Sequence, residues 1–368
     1  MKDLELDTSH LPKIPVEAVK EYEENSKSLV EAVNEKLANR EDIGDLIGDN
    51  STEKMFENHE NHLRFMASVF TINNYDLLAR TVSWVYETYH AHDFSFDYFP
   101  VELEAWMEAV NNQLESESAT PINKIYSFLL ENHQKFIGFT EKIGKPGFNV
   151  PEKWQGAFDE FLDSLVKGDH RKAIKQAEEI VDSRENVGEF FENVLRPAMY
   201  SIGFRWQNGE LSVAEEHLAS SIVSRVLSTL YSRILPLERT KGKAVVTATA
   251  NEFHEIGSRI IADSLELDGW DVDHLGVDTP IPDLVDILLK LRPSLLGLSL
   301  TIPFNLENLV ETIEEVRNHP ELDEMKILVG GKAFNDNPEI WEKTGADDWC
   351  ENSTDAKEIA REWWRKRN

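Results

Sequence analysis

The stretch TATANEFHEIGSR, residues 247–259, decides the fold of the C-terminal half of this chain. It follows an apolar run that predicts a strand and opens a run that predicts a helix. It places Glu252, His254 and Gly257 at the spacing E-x-H-x-x-G. A histidine at the rim between a strand and a helix can be a metal ligand, a general base or a turn residue whose hydrogen bonds are satisfied locally. Residues elsewhere in the chain must decide between these roles.

From residue 241 to the end, short apolar runs alternate with helical stretches of roughly a dozen residues. The runs lie near residues 243, 270, 294 and 325, with a weak fifth near 347. This order predicts a flavodoxin-like, doubly wound parallel sheet with helices on both faces. Such sheets bind ligands beyond the carboxyl ends of their strands. His254, Ser299 and Gly330-Gly331 fall at that edge, together with VDTPIPD at 277–283 and NDNPE at 335–339.

Three short motifs stand in register across this region. Glu252-x-His254-x-x-Gly257 is followed after 41 residues (258–298) by Ser299-Leu300-Thr301, and after 28 more (302–329) by Gly330-Gly331. The set resembles the D-x-H-x-x-G, S-x-L and G-G pattern of cobalamin-binding domains, with Glu252 in place of Asp and Thr301 in place of Leu. The dinucleotide fingerprint G-x-G-x-x-G is absent from the sequence.

This resemblance implies that His254 replaces the benzimidazole of the cofactor as the lower ligand of cobalt. One imidazole suffices, because the corrin already supplies four nitrogens. Glu252 would accept the other ring N–H of the histidine and fix its tautomer. The resemblance also implies that Ser299 lines the slot for the displaced nucleotide tail. Gly330 and Gly331 would let the backbone approach that tail, where a Cβ would collide.

Residues 150–237 predict four or five helices without strands. Within them, Ser212 and Glu215 form the S-x-x-E capping box, so a helix is expected to start at Ser212. An apolar stripe is expected at Leu218, Ile222 and Val226. Glu216 and His217 would lie beside this stripe, and an ordinary amphipathic helix accounts for them. This region is therefore expected to be a helical-bundle cap.

Trp206, nine intervening residues and Glu216-His217 resemble the W-x9-E-H pattern of adenosylcobalamin photoreceptors of the carotenoid-regulator type. The resemblance implies a bundle that caps the upper corrin face, with Trp206, Glu216 and His217 around the adenosyl group. In that family light breaks the Co–C bond and the bundle moves. The photoreceptors carry a histidine directly after the tryptophan, which ligates cobalt after photolysis. Gln207 stands here instead, which leaves the upper ligand of a light state undetermined.

Residues 1–145 predict a helical domain rich in aromatic residues, followed by a Pro- and Gly-containing linker. They do not resemble the DNA-binding module that usually opens these photoreceptors. Core aromatics with surface histidines are one interpretation of the cluster His59, His62, His90 and His92. The other is a globin-like pocket for a second, noncovalent tetrapyrrole, a bilin or haem, as in the photocobilins. No cysteine in this region could attach such a chromophore covalently.

The formal charge of -30 opposes direct DNA binding, which needs Lys and Arg against phosphates. No apolar run is long enough for a membrane span, and a single cysteine excludes a disulfide framework. A cytoplasmic protein is expected. No acid–base pair or nucleophile suggests standalone catalysis, so the chain is not expected to be an enzyme. The leading hypothesis is an adenosylcobalamin light sensor that signals through a protein partner or homo-oligomer. The alternatives are a corrinoid carrier of a methyltransferase system and an adaptor with an empty cobalamin fold.

Overall fold

The computed structural model describes residues 6–140, 150–234 and 238–367. These residues form two compact units. The first contains residues 6–140 together with Gln207–Gly209, and the second contains residues 150–206 and 210–367. Most of the predicted linker, residues 141–149, lies outside the described residues.

The first unit is helical throughout its described residues, as the sequence predicts. Its helices are α1 (Val16–Glu24), α2 (Ser26–Ala38), α3 (Ile43–Ile47), α4 (Thr52–Ile72), α5 (Tyr75–Ala91), α6 (Tyr98–Gln113), α7 (Ser116–Glu131) and α8 (His133–Thr140). Side-chain caps begin two of the longer ones. Ser51 accepts a hydrogen bond from the Lys54 amide at 3.2 Å, and Asn74 accepts one from the Leu77 amide at 3.2 Å. Such caps satisfy amides that have no partner inside the helix.

The cap region of the second unit consists of five helices, which confirms the prediction from the sequence. They are α9 (Glu152–Val166), α10 (His170–Ile180), α11 (Glu185–Phe190), α12 (Arg196–Gln207) and α13 (Val213–Ile234), with a π-helical turn over Phe191–Leu195. The predicted capping box is confirmed. The Glu215 amide donates to Ser212 Oγ at 3.3 Å, and the Ser212 amide donates back to Glu215 Oε2 at 2.8 Å.

The predicted apolar stripe on α13 is wrong at one position. Ile222 and Val226 are buried, but the Leu218 side chain is about half exposed. The buried face passes instead through Ala219, Ile222, Val223, Val226, Leu227 and Leu230. Leu218 lies about 40° further around the helix than Ile222, beyond the edge of that buried face.

The rest of the second unit is a five-stranded, wholly parallel sheet, as predicted. Its strands are β1 (Lys243–Ala248), β2 (Asp271–Gly276), β3 (Leu295–Ser299), β4 (Lys326–Gly330) and β5 (Asp348–Cys350), in the order β2-β1-β3-β4-β5. The connecting and closing helices are α14 (Glu255–Leu267), α15 (Ile281–Leu291), α16 (Leu306–Arg317), α17 (Lys332–Asp336) and α18 (Ser353–Arg367).

Two of these helices, α14 and α18, cover one face of the sheet and share a core cluster with it. Right-handed crossovers then place α15 and α16 on the opposite face. The chain places β2 on one side of β1 and β3 on the other. The connections that follow β1 and β3 therefore leave the sheet towards opposite faces. Sheets of this kind bind ligands at such a switch point. Ala248 pairs with Ser299 there, and Ser299 pairs with Gly330 on the next strand.

The cap is joined to the sheet on both sides within the second unit. Ile256 and Ile260 of α14 pack against the core of the cap, and Arg259 donates to Ser228 Oγ of α13 at 3.0 Å. On the other side, the Ser353 amide donates to Glu192 at 2.9 Å. Among the described residues, no helix has the length and apolar character needed to cross a membrane.

Candidate cofactor site at the carboxyl ends of the strands

His254 stands at the N-cap of α14, directly after the loop that leaves β1. Its ring Nδ1 is hydrogen bonded to Glu252 Oε1, and its backbone amide donates to the same oxygen at 3.1 Å. Glu252 is fully buried, whereas the His254 side chain is 53% exposed. The Nε2 atom makes no hydrogen bond with the described residues. The imidazole is thus fixed at one nitrogen by a buried carboxylate and presents the other outward.

The second carboxylate oxygen of Glu252 is held by the loop after β3. The amides of Thr301 and Ile302 donate to Oε2 at 2.9 and 3.0 Å. Burial alone would raise the pKa of Glu252, but the hydrogen bond from His254 and these amides lower it below its ordinary value. Thr301 therefore acts through its backbone. The sequence pointed to this position, but only the structure shows which atom takes part.

The environment of His254 favours a bond from Nδ1–H to the carboxylate. Burial would lower the pKa of His254, but the hydrogen bond and charge of Glu252 raise it, with a further contribution from the charge of Glu216 on α13. The net pKa lies above the ordinary value of histidine.

Hydrogen bonds from Asp278 and Asn305, which were not predicted as site residues, hold the loop before Glu252. Asn251 has φ +60° and Asp278 has φ +51°, both in the left-handed region. The Asn251 amide donates to Asp278 Oδ1 at 2.8 Å, and the Asp278 amide donates to the Glu252 carbonyl at 3.1 Å. Asn305 Nδ2 donates to the Asn251 carbonyl at 2.9 Å. The sequence feature that could have indicated this loop conformation is the presence of Asn and Asp in loops at one edge of the sheet, because these residues tolerate positive φ.

Glycines and a serine line the sheet face beneath α14. A Cβ on Gly257 would lie 3.6 Å from Ser299 Oγ, so these two motif residues face one another. A Cβ on Gly330 would lie 2.9 Å from Cys350 Sγ. Gly331 has φ +109°, and a Cβ there would lie 2.3 Å from the Leu300 carbonyl oxygen. The structure thus brings Gly257, Ser299 and the glycine pair to one edge, as predicted, and explains why Gly331 has no side chain.

The cap residues of the W-x9-E-H pattern are dispersed over two helices. Trp206 is the penultimate residue of α12, is partly buried and packs against the core of the cap. Glu216 accepts a hydrogen bond from Ser220 at 2.7 Å, and its carboxylate lies 3.7 Å from His217 Nε2. The His217 side chain is mostly exposed. Gln207 belongs to the first unit, where its side-chain Nε2 donates a hydrogen bond to Glu87 Oε2 at 2.6 Å.

Of the four histidines that suggested a second chromophore, His59 and His62 lie in the core of the first unit, whereas His90 is exposed, as the surface interpretation expects, and His92 is intermediate. His59 is fully buried, with Nδ1 2.5 Å from Asn34 Oδ1 and Nε2 2.8 Å from the Tyr98 hydroxyl. His62 stacks on Trp106 and contacts Glu102 and Tyr126. The interpretation of these two as surface histidines is wrong. The aromatic residues are core residues, which agrees with the other half of that interpretation.

The geometry fits a cobalamin with His254 as the lower ligand. The histidine offers Nε2 outward while Glu252 holds Nδ1, which is the arrangement of a metal-ligating histidine with an orienting carboxylate. No group of three or more His, Cys, Asp or Glu among the described residues is placed to hold a metal ion. A corrin brings four nitrogens of its own, so a single imidazole is what the protein must add.

Comparison with known proteins defines the class. Residues 242–360 match the family model described as B12 binding domain, and residues 157–231 match a second B12 binding domain model. The chain therefore contains B12-binding domains, a helical cap followed by a Rossmann-like domain.

Particular relatives fall into two groups. Dimethylamine corrinoid protein 1 of Methanosarcina mazei is 24% identical over 193 residues, which cover 52% of this chain and 86% of that protein. The HTH-type transcriptional repressor CarH of Myxococcus xanthus is 32% identical over 166 residues, 43% of this chain and 54% of the repressor, so the match spans about half of its length. The solved Methanosarcina barkeri monomethylamine corrinoid protein shares the fold: TM-score 0.51, 20% identity, 57% of this chain and 99% of that one.

Proposed function

We propose that the chain is a corrinoid carrier that works with a methyltransferase partner. The supporting observation is that two dimethylamine corrinoid proteins match it over 86% and 94% of their own length. The light-sensor hypothesis, which the sequence placed first, has the narrower support. As a carrier the chain would catalyse nothing alone, and its partners would be cobalamin and the methyltransferase. A cytoplasmic location stays a prediction.

The residues of the site have distinct tasks in this proposal. A bound corrinoid supplies a cobalt centre that holds an alkyl group and releases it to an acceptor or, in the adenosyl form, under light. His254 would hold the cobalt through Nε2. Glu252 would keep Nδ1 protonated, so that only Nε2 is available as a ligand. Gly257, Ser299, Gly330 and Gly331 would accommodate the displaced nucleotide tail.

A second candidate function, an adenosylcobalamin photoreceptor, is favoured by a specific observation. Trp206, Glu216 and His217 keep the spacing of that family, and the match to the repressor CarH has the higher identity. The charge of Glu216 contributes to the raised pKa of His254, which supports a role for Glu216 near the proposed cobalt ligand. In this function Trp206 would pack against the adenosyl group. The second tetrapyrrole predicted for the first unit stays a prediction, and the engaged nitrogens of His59 do not support it.

The two functions are separated by the upper ligand that the protein prefers. The apoprotein is titrated in the dark with methylcobalamin and with adenosylcobalamin, and each complex is then exposed to green light. A carrier binds methylcobalamin at least as tightly, transfers the methyl group to a thiol when its methyltransferase is added, and keeps its oligomeric state in light. A sensor binds adenosylcobalamin more tightly and changes oligomeric state on illumination. Free adenosylcobalamin is itself photolabile, so a spectral change alone does not decide.

The variant Trp206→Ala supplies a second criterion. In a sensor it weakens binding of adenosylcobalamin about tenfold or more while methylcobalamin is little affected, because a large stacking partner of the upper ligand is lost. In a carrier both affinities change alike. If the wild-type apoprotein binds neither form, both functions are wrong and the adaptor hypothesis remains.

A further inference from the structure

The loop between β1 and α14 is held in an unusual conformation by residues outside the cobalamin motifs. Asn251 adopts φ +60°, and its neighbour across the sheet edge, Asp278, adopts φ +51°. Left-handed conformations cost a non-glycine residue free energy, and asparagine and aspartate bear this cost best. These two residues are in contact, and Asn251 directly precedes Glu252. Two left-handed residues at such a place indicate a conformation that the surrounding structure enforces.

Asp278 connects the loop after β2 with the loop after β1 by two hydrogen bonds in opposite directions. Its Oδ1 accepts from the Asn251 amide at 2.8 Å, and its own amide donates to the Glu252 carbonyl at 3.1 Å. The backbone on both sides of the 251–252 peptide is therefore fixed by one residue. That peptide leads directly to the side chain of Glu252, which in turn holds the His254 ring.

A second support comes from the opposite side, at the start of α16. Asn305, which is buried, donates to the Asn251 carbonyl at 2.9 Å, and Asn308 donates to the Ala250 carbonyl at 3.2 Å. The carbonyl and amide groups of residue 251 thus contact different parts of the fold. With the amides of Thr301 and Ile302 on Glu252, the segment 250–254 is bounded by the loops after β2 and β3.

We infer that Asp278 is a positioning residue for the cobalt ligand, with Asn305 as its counterpart across the loop. The inference rests on the proposed role of His254 in cobalamin binding. Asp278 and Asn305 fix the backbone of residues 250–252, which sets where Glu252 holds the imidazole before cobalamin arrives. A site ordered in advance avoids the entropy cost of ordering the loop on binding. Neither residue contacts the imidazole, so both act through Glu252.

The test uses a pair of substitutions at one position. Asp278→Gly removes the acceptor and suits the positive φ, so it introduces no backbone strain. Asp278→Asn keeps an acceptor oxygen and tolerates the same φ. The full-length apoproteins are titrated with hydroxocobalamin, and two quantities are measured: the dissociation constant and the fraction of bound cobalamin with histidine on cobalt, from its absorption spectrum. Thermal unfolding of each apoprotein is recorded in parallel.

We expect Asp278→Gly to weaken cobalamin binding about tenfold and to lower the histidine-ligated fraction, in line with the 10–100-fold effects of residues that orient metal ligands. Asp278→Asn should restore both values to within about twofold of wild type, since the hydrogen bond is kept. If the glycine variant does not fold, Asn305→Ala removes the opposite hydrogen bond and should change both quantities in the same direction.

The inference is overturned if Asp278→Gly binds with wild-type affinity and wild-type ligation, whatever its melting temperature. It is also overturned if Asp278→Asn loses as much as Asp278→Gly, because the acceptor would then be irrelevant. Failure of the proposed role of His254 appears separately: wild-type protein and His254→Ala would then give the same bound spectrum. A wild-type protein with histidine ligation and an unaffected glycine variant would refute the role of Asp278 alone.

Discussion

Two buried carboxylates, one in each unit, hold histidines in opposite ways. In the first unit, Glu102 Oε1 lies 3.4 Å from His62 Nδ1, and the other ring nitrogen of His62 lies 3.3 Å from the Tyr126 hydroxyl. In the second unit, Glu252 engages only one nitrogen of His254 and leaves the other facing outward. Both sites contain a buried glutamate beside a histidine. They differ in whether the second ring nitrogen of that histidine is available to a ligand. A ligand histidine needs a fixed ring and an unused nitrogen.

The pKa values of these carboxylates and histidines also differ between the two units. Burial lowers the pKa of His59 and of His62 to about 3 and raises that of Glu102 to about 7. The core cluster of the first unit is therefore close to neutral. Glu252 keeps a lowered pKa because two backbone amides and His254 compensate its burial. A charged carboxylate that orients an imidazole is thus found only at the second of these two sites.

The largest expected effect tests the comparison directly. His59→Ala should destabilise the first unit by about 3 kcal/mol, because it opens a cavity and leaves Asn34 and Tyr98 with unsatisfied polar groups. His254→Ala should cost the apoprotein about 1 kcal/mol or less, since the ring is half exposed and the residue 254 amide still bonds Glu252. Urea unfolding monitored by circular dichroism measures both. Equal losses would contradict the distinction between a structural and a ligand histidine.

The glycines allow a second comparison. Gly331→Ala should destabilise the second unit by about 2 kcal/mol or more, because alanine is strained at positive φ and its Cβ would collide with the Leu300 carbonyl. Gly257→Ala is the matched control, since its Cβ would meet only Ser299 Oγ at 3.6 Å. Its apoprotein should unfold like wild type but bind cobalamin more weakly. Wild-type affinity for the Gly257 variant would remove that face from the nucleotide slot.

Glu252→Gln addresses the orienting carboxylate. The Thr301 and Ile302 amides and the His254 ring all donate to this residue, and an amide side chain turns one of its two acceptors into a donor. We expect cobalamin binding to weaken about tenfold and the histidine-ligated fraction to fall. Titration followed by absorption measures both. The control is Glu87→Gln in the first unit. If it weakens cobalamin binding and lowers the histidine-ligated fraction as much as Glu252→Gln does, Glu252 has no special role.

The last prediction concerns the dependence of stability on pH. The Glu102 carboxyl titrates near 4.5 in the unfolded chain and near 7 in the folded one, so the folded state retains its proton longer. The contribution of Glu102 to the stability of the first unit should therefore fall by about 2–3 kcal/mol as pH rises from 4.5 to 7. Glu102→Gln should abolish this loss. His59 and His62 act with opposite sign, since stability falls as pH drops from 6.5 towards 3, and this limb should persist in both proteins. An unchanged slope above pH 4.5 in the variant would show that Glu102 is charged in the core.

Local patterns explain what the sequence could predict. The capping box at Ser212 and the pairing of Glu252 with His254 each involve residues within three positions, so their spacing determines the contact. The parallel sheet follows from alternating strands and helices, and its edge gathers the motif residues because all strands end on the same side.

Contacts between distant segments could not be predicted. Asn251 meets Asp278 and Asn305 only because two loops converge at the sheet edge, and no spacing links residues that far apart. His59 and His62 share a helix face, but their spacing does not say whether that face is inside or outside. Leu218 looked like part of an apolar stripe, and only the packing of α13 shows that the buried face lies elsewhere.

The most direct test of the central claim is electron paramagnetic resonance of the protein loaded with cob(II)alamin, prepared with ¹⁵N-labelled histidine. A histidine nitrogen on cobalt splits each cobalt line into a doublet with ¹⁵N and a triplet with ¹⁴N. Unlabelled benzimidazole of the cofactor gives a triplet in either preparation. We predict the doublet for wild type and its loss in His254→Ala. A triplet in the labelled wild-type protein, or a doublet that survives the substitution, would contradict His254 as the lower ligand.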